Sequence, residues 1–272
     1  MIYDLIKNQK LLLTQHITTT TSATCLLLSL LFLSSCADNL MFYPPHASYT
    51  DAPDIVKLKT TDGQWISALY IPNKTDSYVL LFSHGNSEDI GQNRNFFELC
   101  RQNGFSVLAY DYRGYGTSQG RPSERKTYKD IEAAYDYLVN TVKTDPNKII
   151  IHGRSIGCGP SVYLAWRKSA AGLILESPFV SAYQVVIPIS FLPFDPYNNL
   201  NRIKCVRCPV LVIHGTEDHF IPLWHSRKLF DAVQSPKMCF WIQGAGHNNL
   251  LQTAGEYYWT TIHAFEEMIN EH

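Results

Sequence analysis

Six short apolar runs recur between residues 78 and 242, and segments of helix length separate most of them. Each run is apolar at consecutive positions, which is typical of a strand covered on both faces, as in a parallel sheet. An Asp62-Gly63 turn between residues 55–59 and 65–71 predicts an antiparallel hairpin ahead of these runs. This order predicts one α/β domain, with an eight-stranded, mostly parallel sheet and helices on both faces. The runs are residues 78–83, 106–110, 149–152, 173–176, 210–214 and 238–242, and the helical segments are residues 93–102, 128–142, 157–167, 224–233 and 255–270.

The run at 149–152 leads into Gly153-Arg154-Ser155-Ile156-Gly157, and a helical segment follows directly. A strand, a G-x-S-x-G sequence and a helix together are typical of a nucleophile elbow, in which a tight turn projects a serine hydroxyl away from the sheet. A short G-x-S-x-G sequence also occurs by chance in ordinary Gly/Ser turns. The pattern therefore indicates a serine hydrolase only if a base and an acid accompany Ser155.

A serine hydroxyl needs a base within hydrogen-bond reach, and the base needs a carboxylate to fix its tautomer and stabilise its positive charge. Asp218 and His247 follow Ser155 in the order serine, acid, histidine, and each comes just after a predicted strand. The carboxyl ends of parallel strands share one edge of the sheet, so the three side chains are expected to meet there. Glu217 is the neighbouring alternative for the acid, and the spacing favours Asp218.

Acyl transfer also needs two N–H donors for the oxyanion of the tetrahedral intermediate. The backbone N–H of Ile156, directly after the serine, is one candidate, and that of Asn86, in the loop after the third strand, is the other. Asn86 could instead be an ordinary turn residue. Residues 114–120 are glycine-rich, but their spacing and Pro122 argue against a nucleotide site. No motif for a metal or a phosphate is present, so the sequence predicts no cofactor and no metal.

The first 36 residues differ in composition from the rest of the chain. Lysines and a polar stretch precede a short leucine-rich core, which ends at Leu33-Ser34-Ser35-Cys36. This pattern predicts an export signal whose last residue, Cys36, becomes lipidated as in bacterial lipoproteins. The apolar core is short for a membrane span, which takes about 20 residues, so a permanent span or an amphipathic anchor is the weaker interpretation. The predicted organisation is a signal at 1–36, a linker at 37–50 and the enzyme domain at 51–272.

The composition and net charge of the chain limit the kinds of partner that it can bind. Hydrophobic residues make up 45% of the chain and charged residues 17%, at a net charge of -1, which fits a globular domain with a sizeable core. No basic cluster offers the positive surface that nucleic acid binding requires, so nucleic acid is excluded as a partner. Cys205-Val206-Arg207-Cys208 is a C-x-x-C sequence ahead of a predicted strand, a position that does not favour a redox pair.

Several segments together resemble the α/β-hydrolase-domain-containing protein 17 group and its bacterial relatives, from about residue 40 to the end of the chain. The segments are residues 84–86, 110–116, 120–124, the Ser155 elbow, residues 214–218 and residues 244–248. The resemblance implies the α/β-hydrolase fold, with Ser155, Asp218 and His247 as nucleophile, acid and base. Members of that group remove palmitate from cysteine thioesters at membranes.

Two departures qualify the resemblance. Depalmitoylases of the group carry an N-terminal cysteine cluster, whereas this chain has one lipobox-like cysteine, so we expect an envelope lipoprotein, at the bacterial outer membrane facing the periplasm. Residues 179–204 are apolar and proline-broken, which predicts a small cap with Phe191, Leu192 and Phe194 near an acyl pocket, although ordinary packing explains them equally well.

The sequence thus predicts a membrane-tethered serine hydrolase that cleaves carboxylic esters or acyl thioesters. The expected substrate is a small molecule, a lipid or an acylated protein. A serine peptidase or amidase, and a surface-anchored binding protein without catalysis, are the alternatives.

Overall fold

The structure, a computed structural model, describes residues 41–73, 78–186 and 196–272. Eight strands form one sheet in the order β1-β2-β4-β3-β5-β6-β7-β8. The pairs β1–β2 and β2–β4 are antiparallel, and every other pair is parallel. The predicted fold class and the opening hairpin are therefore confirmed. The strands are β1 Ile55–Lys59, β2 Trp65–Ile71, β3 Val79–Ser83, β4 Ser106–Tyr110, β5 Ile149–Arg154, β6 Gly172–Glu176, β7 Val210–Gly215 and β8 Lys237–Ile242.

The helices follow the predicted segments closely. The segment predicted at 128–142 begins earlier, at Glu124, directly after an extended Ser123, and its last turn, Leu138–Val142, is a π-helix that ends at a left-handed Lys143. A short helix after residue 249 was not predicted. The helices are α1 Arg94–Gln102, α2 Glu124–Tyr137, α3 Cys158–Arg167, α4 Ala182–Val186, α5 Asn199–Ile203, α6 Trp224–Ala232, α7 Leu250–Ala254 and α8 Glu256–Asn270.

The sheet is covered on both faces, which explains why its central strands are apolar at consecutive positions. All five residues of β3 are buried. On one face, α1 and α8 pack against the sheet through residues such as Phe97 and Phe265, which belong to one core cluster with Leu80 and Ile150. Helices α2 and α3 lie together on the other face. The sheet is thus a rigid frame, and its carboxyl edge carries the polar loops.

Packing of the folded domain begins before residue 51. Phe42 is buried, and the Tyr43 N–H donates to the side chain of Asn86. The Ser48 N–H donates to Asp89 at 2.7 Å, and the Tyr49 hydroxyl bonds Asp111. The compact unit accordingly extends from Phe42 to the C-terminus. Residues 42–50, which the sequence pattern assigned to a linker, are part of the fold.

Two predicted features lie outside the described residues. The signal segment with Cys36 is one, and the middle of the predicted cap, including Phe191, Leu192 and Phe194, is the other. The described parts of the cap are the short helices α4 and α5. Within residues 41–73, 78–186 and 196–272, none of the helices has both the length and the apolar character that crossing a bilayer requires.

Candidate active site

Ser155 lies in the turn between β5 and α3 and has a left-handed backbone, with φ of 54°. Non-glycine residues seldom adopt this conformation, and when they do it is often at a functional site. The glycines on either side permit the close turn. A Cβ atom at Gly157 would lie 2.2 Å from the Ser83 carbonyl oxygen, and one at Gly153 would lie 2.6 Å from the Gly157 carbonyl oxygen. The elbow predicted from the G-x-S-x-G sequence therefore forms.

His247 joins Ser155 to Asp218. Its Nε2 lies 2.9 Å from Ser155 Oγ, and its Nδ1 lies 2.7 Å from Asp218 Oδ2. These contacts order the three side chains as hydroxyl, imidazole and carboxylate. Glu217, the alternative acid, is exposed, and its backbone N–H donates to the Ala245 carbonyl. The structure thus brings together the three residues that were predicted from sequence, and it places Asp218 rather than Glu217 at the histidine.

The Asp218 carboxylate is held from several sides. Oδ1 accepts from the Phe220 and Ile221 N–H groups at 2.9 and 2.8 Å. Oδ2 lies 3.3 Å from His214 Nε2, in addition to its contact with His247. Burial raises the pKa of Asp218, but hydrogen bonds from His214 and His247 outweigh it, so the pKa lies well below its usual range. Asp218 is therefore a fixed carboxylate at neutral pH.

The two predicted oxyanion donors also lie at the serine. Ile156 directly follows Ser155 in the turn, and Asn86 lines the same cavity as Ser155. The Asn86 side chain faces the N-terminal segment, where its Oδ1 accepts from the Tyr43 N–H at 3.0 Å and from the Tyr115 hydroxyl at 2.7 Å. This side chain ties the loop after β3 to the segment before β1. Donation by the two backbone N–H groups stays a prediction.

A cavity of about 940 Å³ opens over Ser155 and His247. This volume falls in the range of small-molecule sites. Part of the wall is apolar, and Phe220 on the rim is exposed and packs its ring 5.3 Å from that of His247. Another part of the wall is charged, which the sequence did not predict. Apolar lining residues are Phe96, Phe220, Leu250 and Leu251, and charged ones are Glu88, Arg154, Glu176 and Glu217.

Most of the charged residues in the wall belong to one ordered network around Arg154. Arg154 Nε donates to Glu176 Oε2 at 2.8 Å, and Nη1 donates to Asn93 Oδ1 at 3.1 Å and lies 3.9 Å from Glu88 Oε2. The Tyr258 hydroxyl also bonds Glu176. Burial raises the pKa of Glu176, but the charge of Arg154 outweighs it and keeps the carboxyl ionised. Arg154 and Glu176 are register partners on β5 and β6, the one signal that could have revealed the pair.

His84, at the end of β3, is buried beneath the loop that carries Asn86. Its Nδ1 lies 2.7 Å from the Gly85 carbonyl oxygen, and its Nε2 lies 3.2 Å from Asp111 Oδ1. Burial lowers the pKa of His84, but its interaction with the nearby Asp111 carboxylate outweighs this effect and raises it. These contacts show that His84 supports the loop that carries Asn86. Cys205 and Cys208 are both free thiols.

The fold resembles solved hydrolases. The esterase Pf2001 of Pyrococcus furiosus superposes with a TM-score of 0.71 at 19% identity, over 83% of this chain and 98% of that one. The monoacylglycerol lipase of Paleococcus ferrophilus gives a TM-score of 0.59 at 20% identity, over 76% and 99% of the two chains. Residues 74–194 match the family described as serine aminopeptidase, S33, and residues 188–265 match the prolyl oligopeptidase family. The chain thus has the α/β-hydrolase fold.

Proteins of similar sequence show the family to which this chain belongs. Human alpha/beta hydrolase domain-containing protein 17B is 40% identical over 213 residues, which cover 76% of this chain and 73% of the human protein. The alpha/beta hydrolase domain-containing protein aho-3 of Caenorhabditis elegans is 34% identical over 80% of this chain and 74% of its own. This chain therefore belongs to the alpha/beta hydrolase domain-containing protein 17 family, as its motifs predicted.

Proposed function

We propose that this α/β hydrolase is a serine hydrolase that cleaves carboxylic ester or acyl-thioester bonds through Ser155, His247 and Asp218. The observation that carries the proposal is the continuous chain of hydrogen bonds from Ser155 Oγ through His247 to Asp218, at the floor of an open cavity. A hydroxyl in this arrangement is a nucleophile with its own base.

In the proposed reaction, His247 Nε2 accepts the Ser155 proton while Oγ attacks the substrate carbonyl carbon. The resulting oxyanion accepts hydrogen bonds from the N–H groups of Ile156 and Asn86. Collapse of the tetrahedral intermediate breaks the bond to the leaving alcohol or thiol, which takes the proton from His247, and leaves an acyl-enzyme. Water, deprotonated by the same imidazole, then attacks the ester, releases the acid and restores Ser155. Asp218 stabilises the imidazolium in both halves.

The proposed location is the cell envelope, with the enzyme anchored to a membrane through lipid at Cys36. The lipobox-like end of the leader supports this proposal. An anchored enzyme meets lipids and acylated proteins at the membrane surface, which favours these as substrates. The apolar part of the cavity wall supplies surface for an acyl group.

A second candidate is a serine peptidase or amidase. The match of residues 74–194 to the serine aminopeptidase family favours it, since the same three side chains can attack an amide. A binding protein without catalysis is the third candidate, and the ordered contact between Ser155 and His247 argues against it.

Ser155→Ala should abolish turnover of p-nitrophenyl esters, with a fall in kcat of at least about 1,000-fold because the nucleophile is lost. The matched control is Ser169→Ala, which removes an exposed hydroxyl that does not line the cavity. Esters of graded chain length, acyl thioesters and short peptides should be compared on the same proteins. Equal rates for wild type and Ser155→Ala would contradict the proposal, and Ser155-dependent turnover of peptides alone would favour the peptidase.

A further inference from the structure

Both backbone groups of Gly85 are held by neighbouring side chains. Its N–H donates to Glu88 Oε1 at 2.5 Å, and its carbonyl oxygen lies 2.7 Å from His84 Nδ1. In a trans peptide the C=O and the following N–H point in opposite directions. The contact that holds the Gly85 carbonyl at His84 Nδ1 therefore also fixes the direction of the Asn86 N–H, one of the two donors in the proposed reaction.

Glu88 is itself held in place by Asn93. Its Oε2 accepts from Asn93 Nδ2 at 3.0 Å, and that nitrogen also donates to the Asp89 carbonyl at 3.0 Å. Asn93 is buried, and its Oδ1 accepts from Arg154 Nη1. The side-chain amide of Asn93 thus donates to the Glu88 carboxylate and accepts from the Arg154 guanidinium. Only one orientation of the amide satisfies both contacts.

Arg154 connects this chain of contacts to the nucleophile, because it directly precedes Ser155. The guanidinium donates to Glu176 through Nε. It also lies over the rings of Phe82 and Phe96, 5.1 and 4.6 Å from their centroids. The contacts run without a break from the residue before Ser155, through Asn93 and Glu88, to the residue before Asn86.

We propose that Glu88 is a positioning residue for the proposed hydrolysis. It holds the loop that carries the Asn86 N–H in a fixed position relative to the Ser155 elbow, and its contacts reach that elbow through Asn93 and Arg154. The inference rests on the proposed function. An oxyanion donor is effective only when its direction is set before the reaction begins. Because Glu88 also lines the cavity, it could instead bind substrate, and the two roles differ in which kinetic constant they change.

Glu88→Ala tests the assignment. We expect kcat for p-nitrophenyl butyrate to fall about 10- to 100-fold, somewhat less than the loss of a whole oxyanion donor, while KM changes by less than about 3-fold. Butaneboronic acid, which forms a tetrahedral adduct on a serine hydroxyl, should lose affinity by a similar factor, since only the tetrahedral species uses the donor. Glu88→Gln keeps an acceptor for the Gly85 N–H and should recover part of kcat.

Glu98→Ala is the matched control, because it removes an exposed carboxylate from α1 and should leave kcat unchanged. Asn93→Ala, which breaks the chain one contact further on, should lower kcat in the same direction if Glu88→Ala does not fold. The inference would be overturned if Glu88→Ala and Asn93→Ala both kept the wild-type kcat, or if their loss of activity lay wholly in KM. A fall in kcat with unchanged affinity for butaneboronic acid would also overturn it. Absence of Ser155-dependent turnover in the wild type would overturn the proposed function and this inference together.

Discussion

The contacts of the Asp218 carboxylate determine the charge of this side chain and the orientation of His247. Two backbone N–H groups and two histidines surround its carboxylate, and the resulting fall in pKa means that the group is ionised throughout the neutral range. The ionised carboxylate is the acceptor for the Nδ1 proton of His247. The tautomer of His247 that can accept a proton from Ser155 at Nε2 therefore depends on Asp218.

Asp218→Asn should lower kcat by about 10,000-fold with little change in KM, because a neutral amide can donate to Nδ1 and stabilise the wrong tautomer. Steady-state kinetics on a p-nitrophenyl ester measure this. Asp231→Asn, which removes an exposed carboxylate on α6, is the matched control and should behave as wild type. A loss of less than about 10-fold in Asp218→Asn would argue that His247 does not need its acidic partner.

The same substitution should change the acid stability of the protein. The folded-state pKa of Asp218 lies below that of the unfolded chain, about 3.9, so the folded state binds fewer protons. Its stabilising contribution is complete above the unfolded pKa and is lost as pH falls through about 4 and below. Urea unfolding between pH 3 and pH 7 should therefore show a shallower acid decline in Asp218→Asn than in wild type. An unchanged decline would contradict the lowered pKa.

At the scale of elements, the elbow depends on how closely α3 approaches β3. The Cα of Gly157 faces the carbonyl of Ser83 at a distance that leaves no room for a side chain. Because that neighbour is backbone in the middle of a sheet, it cannot move aside as a flexible side chain could. The requirement for glycine here therefore comes from packing between two elements and not from the backbone angles of the residue itself.

Gly157→Ala should destabilise the fold by more than about 2 kcal/mol and displace Ser155, with loss of esterase activity. Gly246→Ala offers a stability control, because a Cβ there meets nothing closer than 3.6 Å, and it should change stability by less than about 0.5 kcal/mol. Urea denaturation measures both. Equal stability of the two variants would show that the α3–β3 contact yields to an added methyl group.

The strands and most helices were predictable because a run of apolar residues reports burial on both faces directly. The three side chains Ser155, Asp218 and His247 were predictable as neighbours because each follows a strand that ends at the same edge of the sheet. The network of Arg154 and Glu88 was not, since it depends on strand register and on side chains that meet across the cavity. The packing of residues 42–50 was missed for a similar reason: its bonds reach Asp89 and Asp111, far away in sequence.

At the scale of the whole molecule, the proposal combines an enzyme domain with a lipid anchor on the same chain. The domain begins at Phe42, a few residues after Cys36 in sequence. An anchor at Cys36 would restrict the enzyme to one membrane surface and raise its effective concentration toward substrates in that surface. The proposed anchor would therefore affect substrate choice as well as location.

Cys36→Ser should abolish incorporation of radiolabelled palmitate when the full chain is expressed in a Gram-negative bacterium, and should move the protein out of the membrane fraction. The reason is that the proposed lipid is attached to this thiol. Cys25→Ser, which changes a cysteine within the leader core, should retain both label and membrane association. Equal labelling of the two variants would argue against a lipoprotein.

The bonds that Tyr43 and Tyr115 make to the Asn86 side chain have a practical consequence for protein production. A soluble version trimmed to start at residue 51 would leave out Tyr43, part of the cavity wall, together with the partners of Asp89 and Asp111. Such a preparation could fold around an intact sheet and still report misleadingly slow turnover. Trimming ahead of Met41 removes the predicted leader while keeping the segment that contacts Asn86, Asp89 and Asp111.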